Sequence, residues 1–149
     1  MKIAIGSDHN GYEFKEKIKA FITEELGYEV EDFGCHSCDS TDYPSVSFEV
    51  AEKIAHKVYD RGILICGTGL GVAIAANKYK GIRAATTHDV YSAERAIASN
   101  NAQIITMGAQ VIGIESGKKI VKAYLGLNFD ESRSGKKVQM IIDKEESLN

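Results

Sequence analysis

Short apolar runs alternate with longer amphipathic stretches from one end of the chain to the other. Lys2–Gly6 is a compact apolar run closed by glycine, and Tyr28–Phe33 alternates with the period of a half-buried strand. Gly62–Cys66 (Gly-Ile-Leu-Ile-Cys) is continuously apolar, as a central strand covered on both faces requires. Ile82–Thr87 and Gln103–Met107 predict a fourth and a fifth strand. Between the strands, Tyr12–Leu26 sets Phe14, Ile18, Phe21, Ile22 and Leu26 near helical spacing, with lysines and glutamates between them. Pro44, the only proline, opens a second helix that runs through His56 with Val46, Val50 and Ile54 on one face. Leu70–Lys78, Val90–Ser99 and Gly113–Leu125 predict further helices, and Gly34–Tyr43 is a polar, turn-rich loop.

Strict alternation of strand and helix implies an α/β fold, a parallel sheet with helices on both faces. No linker, repeat or low-complexity stretch divides the chain, so residues 1–149 read as one doubly wound domain. Arg133–Leu148 predicts an extra carboxyl-terminal helix with no strand after it. It packs either across a partner subunit or on its own domain.

Composition narrows the function classes. The 149 residues are 44% hydrophobic, and 18 basic against 21 acidic side chains give a net charge of −3. A nucleic-acid binder would show a basic excess or stripe, which this chain lacks. No apolar run approaches the ~20 residues that span a bilayer. Met1–Gly6 is too short and too quickly polar for a signal peptide. Three unevenly spaced cysteines do not make a disulfide framework, which favours a reduced, cytoplasmic setting.

In open parallel sheets, ligands bind outside the carboxyl ends of the strands. That rule selects the segments after Gly6, Phe33, Cys66, Thr87 and Met107. Cys66-Gly67-Thr68-Gly69-Leu70-Gly71 joins the third strand to a helix, and its alternating glycines let several backbone N–H groups face one point. A thiol beside a helix start would ionise below its usual ~8.5, and the same amides could hold a developing oxyanion, with Thr68 adding a hydroxyl. The bland alternative is a small apolar cysteine ending a buried strand.

Rival readings of this turn fail on their letters. A dinucleotide fingerprint needs a third glycine where Val72 stands, and normally follows the first strand. A phosphate-binding Walker loop would end in Gly-Lys-Ser/Thr, not Gly71-Val72-Ala73. A cysteine phosphatase loop would need arginine at position 72.

Ser7-Asp8-His9-Asn10-Gly11 should share the rim with Cys66, where an Asp-His pair could position a sugar hydroxyl and a phosphate or move a proton. Equally, Asp8 could cap a helix and His9 lie on the surface. Thr41-Asp42-Tyr43-Pro44 offers a phenol and a carboxylate, or a capped helix start. Ser99-Asn100-Asn101 closes the fourth helix. Arg133 and Lys137 share a helix face and could grip a phosphate dianion, or simply be solvated. Cys35-His36-Ser37-Cys38 has dithiol spacing but lacks a second pair for zinc. His56 and His88 have no evident partners.

Taken in order, these segments resemble the ribose-5-phosphate isomerase B family, which includes galactose-6-phosphate isomerase subunits. The resemblance runs through Gly6–Gly11, Asp42-Tyr43-Pro44, Gly62–Gly71, Ala75-Ala76-Asn77-Lys78, Gly81-Ile82-Arg83-Ala84 and Asn100-Asn101-Ala102. It implies a three-layer α/β/α sandwich around a Rossmann-like five-stranded parallel sheet. It also implies a homodimer, sometimes a homotetramer, with active sites at the subunit interface. The implied reaction interconverts the phosphorylated sugars ribose 5-phosphate and ribulose 5-phosphate without metal or organic cofactor. By the same resemblance Cys66 is the base, Gly67, Thr68, Gly69, Leu70 and Gly71 line the enediolate's anion hole, and Asp8, His9 and Tyr43 contact the sugar. Asn100 reaches in from the other subunit, and Arg133 and Lys137 hold the phosphate.

The chain departs from that pattern in places. Ser99 stands where many relatives carry the histidine that opens the furanose ring, so ring opening falls to His9, to water or to the open-chain sugar. Lys137 replaces a frequent arginine and loses the bidentate fork. Gln110 replaces another and supplies no charge. A six-carbon sugar phosphate, galactose 6-phosphate or allose 6-phosphate, is therefore the nearest alternative substrate, and a non-catalytic sugar-phosphate-binding subunit is a more distant one.

Overall fold

The computed structural model describes residues 1–148. Strands β1 (Lys2–Ser7), β2 (Glu29–Asp32), β3 (Arg61–Cys66), β4 (Ala84–Thr86) and β5 (Ile104–Gly108) form one parallel sheet in the order β2-β1-β3-β5-β4. Helices α1 (Tyr12–Phe21), α2 (Tyr43–Ala55), α3 (Leu70–Ala76), α4 (Val90–Ala98), α5 (Ile114–Leu125) and α6 (Glu131–Ser147) occupy the predicted positions. Three boundaries differ for local reasons. The last turn of the first predicted helix, Ile22–Leu26, is π-helical and closes on Gly27 with φ of 75°. Strand β4 is shorter than its apolar run because the Arg83 amide donates to the Gln103 side chain instead of a strand partner. Helix α6 starts before Arg133, since the Asp130 carboxylate caps the Arg133 amide.

Alternation along each strand sorts the core into two layers. Ile3, Ile5, Ile63, Ile65, Ile105 and Met107 face α1, α4 and α5, meeting Phe14, Ile18, Ile97, Val121 and Tyr124. Ala4, Leu64, Cys66 and Ile104 face α2 and α3, meeting Val46, Val50, Ile54, Val72 and Ala76. The result is the three-layer α/β/α sandwich expected. Each fully buried isoleucine is worth about 2 kcal/mol of apolar transfer, so β3 and β5, both buried along their whole length, anchor the centre of the sheet.

Strand β1 leads outward to β2, whereas β3 on its other side leads toward β5 and β4. The connections therefore step in opposite directions across the sheet from β1 and from β3, and a crevice opens between these two parallel strands at their carboxyl ends. Ser7 pairs with Ile65 there, so Asp8 and Cys66 leave the sheet side by side.

Helix α6 crosses the opposite, amino end of the sheet. Asp130 donates its amide to the Ala98 carbonyl at 3.0 Å, and Glu145 accepts from the Gly81 amide at 3.0 Å. Ser134 and Val138 pack inward, while Met140, Ile141 and Leu148 are exposed. No described helix is long and apolar enough to cross a membrane.

Candidate active site

Cys66 is the last residue of β3, and only 5% of its surface is exposed. The chain then turns back within three residues to start α3, so that the Gly69 amide donates to Cys66 Sγ at 3.0 Å. Glycine is required at that position. Gly69 has φ of 77°, and a Cβ there would lie 2.7 Å from the Met107 carbonyl carbon. Gly71 is equally constrained, because a Cβ would sit 2.6 Å from the Tyr43 ring. The turn therefore packs between β5 beneath it and Tyr43 beside it.

Not every amide of the turn meets the sulfur. The Leu70 amide donates to Thr68 Oγ1 at 3.3 Å, which leaves the threonine hydroxyl its own proton to donate outward. Thr68 and Leu70 are exposed while Gly67 and Gly69 are buried. The turn thus shows solvent a hydroxyl and an apolar side chain above a buried backbone. The carboxamide of Gln110 lies over Gly67, where a Cβ would come within 2.9 Å of its Oε1.

Asp8 follows β1 and is 5% exposed. Its Oδ1 accepts from the Gly11 amide at 3.0 Å, which shapes the turn into α1, so the capping task is real. His9 projects beside it, half-buried, and its Nδ1 accepts from the Thr41 amide at 3.1 Å. A neutral imidazole that accepts at Nδ1 carries its proton on Nε2. His9 therefore offers a donor, not a lone pair, at its other nitrogen.

Asp8, His9, Thr41, Asp42, Tyr43 and Phe48 line an open cavity of about 710 Å³. Tyr43 forms one wall and also covers Gly71, which sets the cavity against the Cys66 turn. The loop carrying Thr41 and Tyr43 is clamped by a buried cation. Lys15, fully buried, donates to the Asp32 carboxylate at 2.8 Å and 2.9 Å and to the Cys35 carbonyl. Burial pushes the Asp32 carboxyl up, but bonds from Lys15, Lys19 and the Gly34 amide outweigh it and hold the group below its ordinary value. Sequence reading missed this clamp, although a lysine on the apolar stripe Phe14–Ile18 was the available signal.

His88 also gains a partner that the sequence did not reveal: its Nε2 accepts from the Gly108 amide at 2.9 Å, at the edge of the same rim. Cys35 is buried, with its Sγ 3.9 Å from Ser7 Oγ, and Cys38 is exposed; both are free thiols. No group of three metal-ligating side chains occurs among the described residues.

The other predicted site residues lie elsewhere in the chain. Ser99 caps the end of α4, its hydroxyl accepting from Arg95 at 3.3 Å, and Asn100 is exposed next to it. Arg133 and Lys137 are exposed on α6. All four occupy the amino end of the sheet, separated from Cys66 by the length of β3, about 20 Å for its six residues. One chain carries the sulfur, the turn, Asp8, His9 and Tyr43 on one rim, and the hydroxyl, amide and basic pair on the other.

Comparison with known proteins follows the same lines. The sequence profile described as Ribose/Galactose Isomerase matches residues 3–141. The chain is 50% identical over 144 residues to D-erythrulose-4-phosphate isomerase 2 of Mycolicibacterium smegmatis, covering 95% of each. It is 48% identical over 141 residues to ribose-5-P isomerase B of Listeria innocua, again covering 95% of each. The solved structure of ribose-5-phosphate isomerase B from Clostridium thermocellum superposes with a TM-score of 0.96 at 44% identity, covering 100% of both chains.

Proposed function

The chain belongs to the ribose/galactose isomerase family and is a sugar phosphate isomerase, and from that premise we propose that it interconverts D-ribose 5-phosphate and D-ribulose 5-phosphate with Cys66 as the base. The observation that carries the proposal is the Gly69 amide, which donates to Cys66 Sγ at 3.0 Å and holds the sulfur at the carboxyl end of β3, beside the start of α3. In the proposed reaction the Cys66 thiolate removes the proton from carbon 2 of the open-chain aldose. The electron pair moves into an enediolate, the proton on oxygen 2 passes to oxygen 1, and the thiol returns its proton to carbon 1, leaving the carbonyl at carbon 2. The Thr68 hydroxyl and the turn amides not engaged by Sγ or by Thr68 Oγ1, those of Gly67, Thr68 and Gly71, serve the oxyanion, and Tyr43 packs on the sugar. His9, with its proton on Nε2, donates a hydrogen bond to the substrate.

The second half of the site comes from another copy of the chain. Asn100, Arg133 and Lys137 are on the wrong rim for their own Cys66 but are free to meet a partner's. The uncovered apolar side chains Leu70 and Ile74 on α3 and Met140 and Ile141 on α6 support a homodimer.

One observation favours a shorter substrate. Ser99 does not titrate near neutrality, and a tetrose 4-phosphate needs no ring opening because its oxygen 4 is esterified. A relative at 50% identity is a D-erythrulose-4-phosphate isomerase, which supports the same reading. Assaying the purified protein on four-, five- and six-carbon aldose phosphates separates the readings by kcat/KM. Deuterium from solvent should enter the product at the transferred carbon, and full activity in Cys66→Ala would end the assignment of the base.

A further inference from the structure

We propose that Thr106, paired with Thr86, is a positioning residue for the sulfur turn, holding Gly69 so that its amide stays on Cys66. The inference rests on the reading of Cys66 as the base. Thr106 is the one polar side chain of β5 and is fully buried, in a strand otherwise made of Ile104, Ile105, Met107 and Gly108. Valine would fill the same volume, so burial alone gives no reason for a hydroxyl there.

The hydroxyl has a specific partner. Thr106 Oγ1 donates to the Gly69 carbonyl at 2.7 Å, and Thr86 Oγ1 approaches the same carbonyl at 3.2 Å. The two threonines are register partners on neighbouring strands, and their hydroxyls are 3.0 Å apart. Two hydroxyl protons serve these three contacts, and Thr106 Oγ1 is the closer donor to the carbonyl, with Thr86 Oγ1 the more distant one.

Gly69 needs such a hold. It has no side chain to be packed, and glycine at φ of 77° is free to rotate in ways other residues are not. Its orientation is set by what its own N–H and C=O bind. The N–H binds the sulfur and the C=O binds the threonines. Loss of the hydroxyls loosens the glycine and lets the N–H drift from Sγ.

The test is steady-state kinetics of Thr106→Val, Thr106→Ser and Cys66→Ala beside the unaltered protein, on the best substrate of the sugar phosphate panel. Thr106→Val should lower kcat about 10-fold with KM changed less than about two-fold, and Thr106→Ser should recover most of that loss. A folded valine variant with unchanged kcat overturns the proposal, as does a loss that appears in KM alone or that serine does not repair. If the valine protein does not fold, Thr86→Val replaces it, with a smaller fall of about three-fold expected and an unchanged kcat again overturning the idea. Activity retained by Cys66→Ala removes the base itself, an outcome distinct from a silent Thr106→Val beside an inactive Cys66→Ala.

Discussion

The Thr41 amide donates to Nδ1 of His9 at 3.1 Å, and this one bond joins the loop after β2 to the turn after β1 across the mouth of the cavity. It leaves Nε2 as the nitrogen of His9 free to serve the cavity. Asparagine can replace the Nδ1 acceptor with its side-chain oxygen but cannot reach as far as Nε2. His9→Asn should therefore keep thermal stability and raise KM about 10-fold, the cost of one donor to a charged or polar substrate group. Kinetics and a thermal melt on the same sample check both halves.

Gly69→Ala should nearly abolish turnover and destabilise the fold by several kcal/mol. A Cβ cannot approach the Met107 backbone at 2.7 Å, and φ of 77° alone costs an alanine about 1–2 kcal/mol. Gly27, also at positive φ but with nothing within 4 Å, is the control: Gly27→Ala should show only the conformational cost and retain activity.

Asp32→Asn should destabilise the protein by about 3 kcal/mol, because it removes the carboxylate paired with fully buried Lys15 and leaves Glu16 as its remaining ionic partner. The sign of the pH dependence follows from the direction of the Asp32 shift. Its pKa in the folded chain lies below the ordinary 3.8, so its contribution is complete above that value and is lost as pH falls through the lower, folded one. Acid unfolding monitored by circular dichroism should lose this limb in the asparagine variant.

Mixing two variants tests whether the site is shared between two chains. Cys66→Ala leaves the amino-end residues intact, and Arg133→Ala leaves the sulfur rim intact. Refolded together in equal amounts, they should recover about a quarter of wild-type activity, since half of the dimers are mixed and each mixed dimer has one whole site. Absence of recovery in verified mixed dimers would show that Arg133 does not serve the partner's sulfur.

Much of the rim chemistry was readable because it is local. The alternating glycines after Cys66, the polar Ser7–Asn10 segment after an apolar run and the single proline at Pro44 each mark a strand end or helix start within a few residues. What pairs with what was not readable. Nothing near Thr106 in the chain points to Gly69, nothing near Lys15 points to Asp32 or Cys35, and His88 shows no sign of Gly108.

The order of apolar and polar residues by itself determined the alternating strands and helices, the parallel sheet and the end of it that carries Cys66, because periodicity and turn chemistry act over a few neighbouring residues. Only the tertiary structure decided that β5 lies between β3 and β4, that Thr86 and Thr106 meet beneath Gly69, and that Asn100 and Arg133 lie on the rim opposite Cys66. Those relations depend on which strands become neighbours. That choice is made by the packing of whole layers, which no short stretch of sequence encodes.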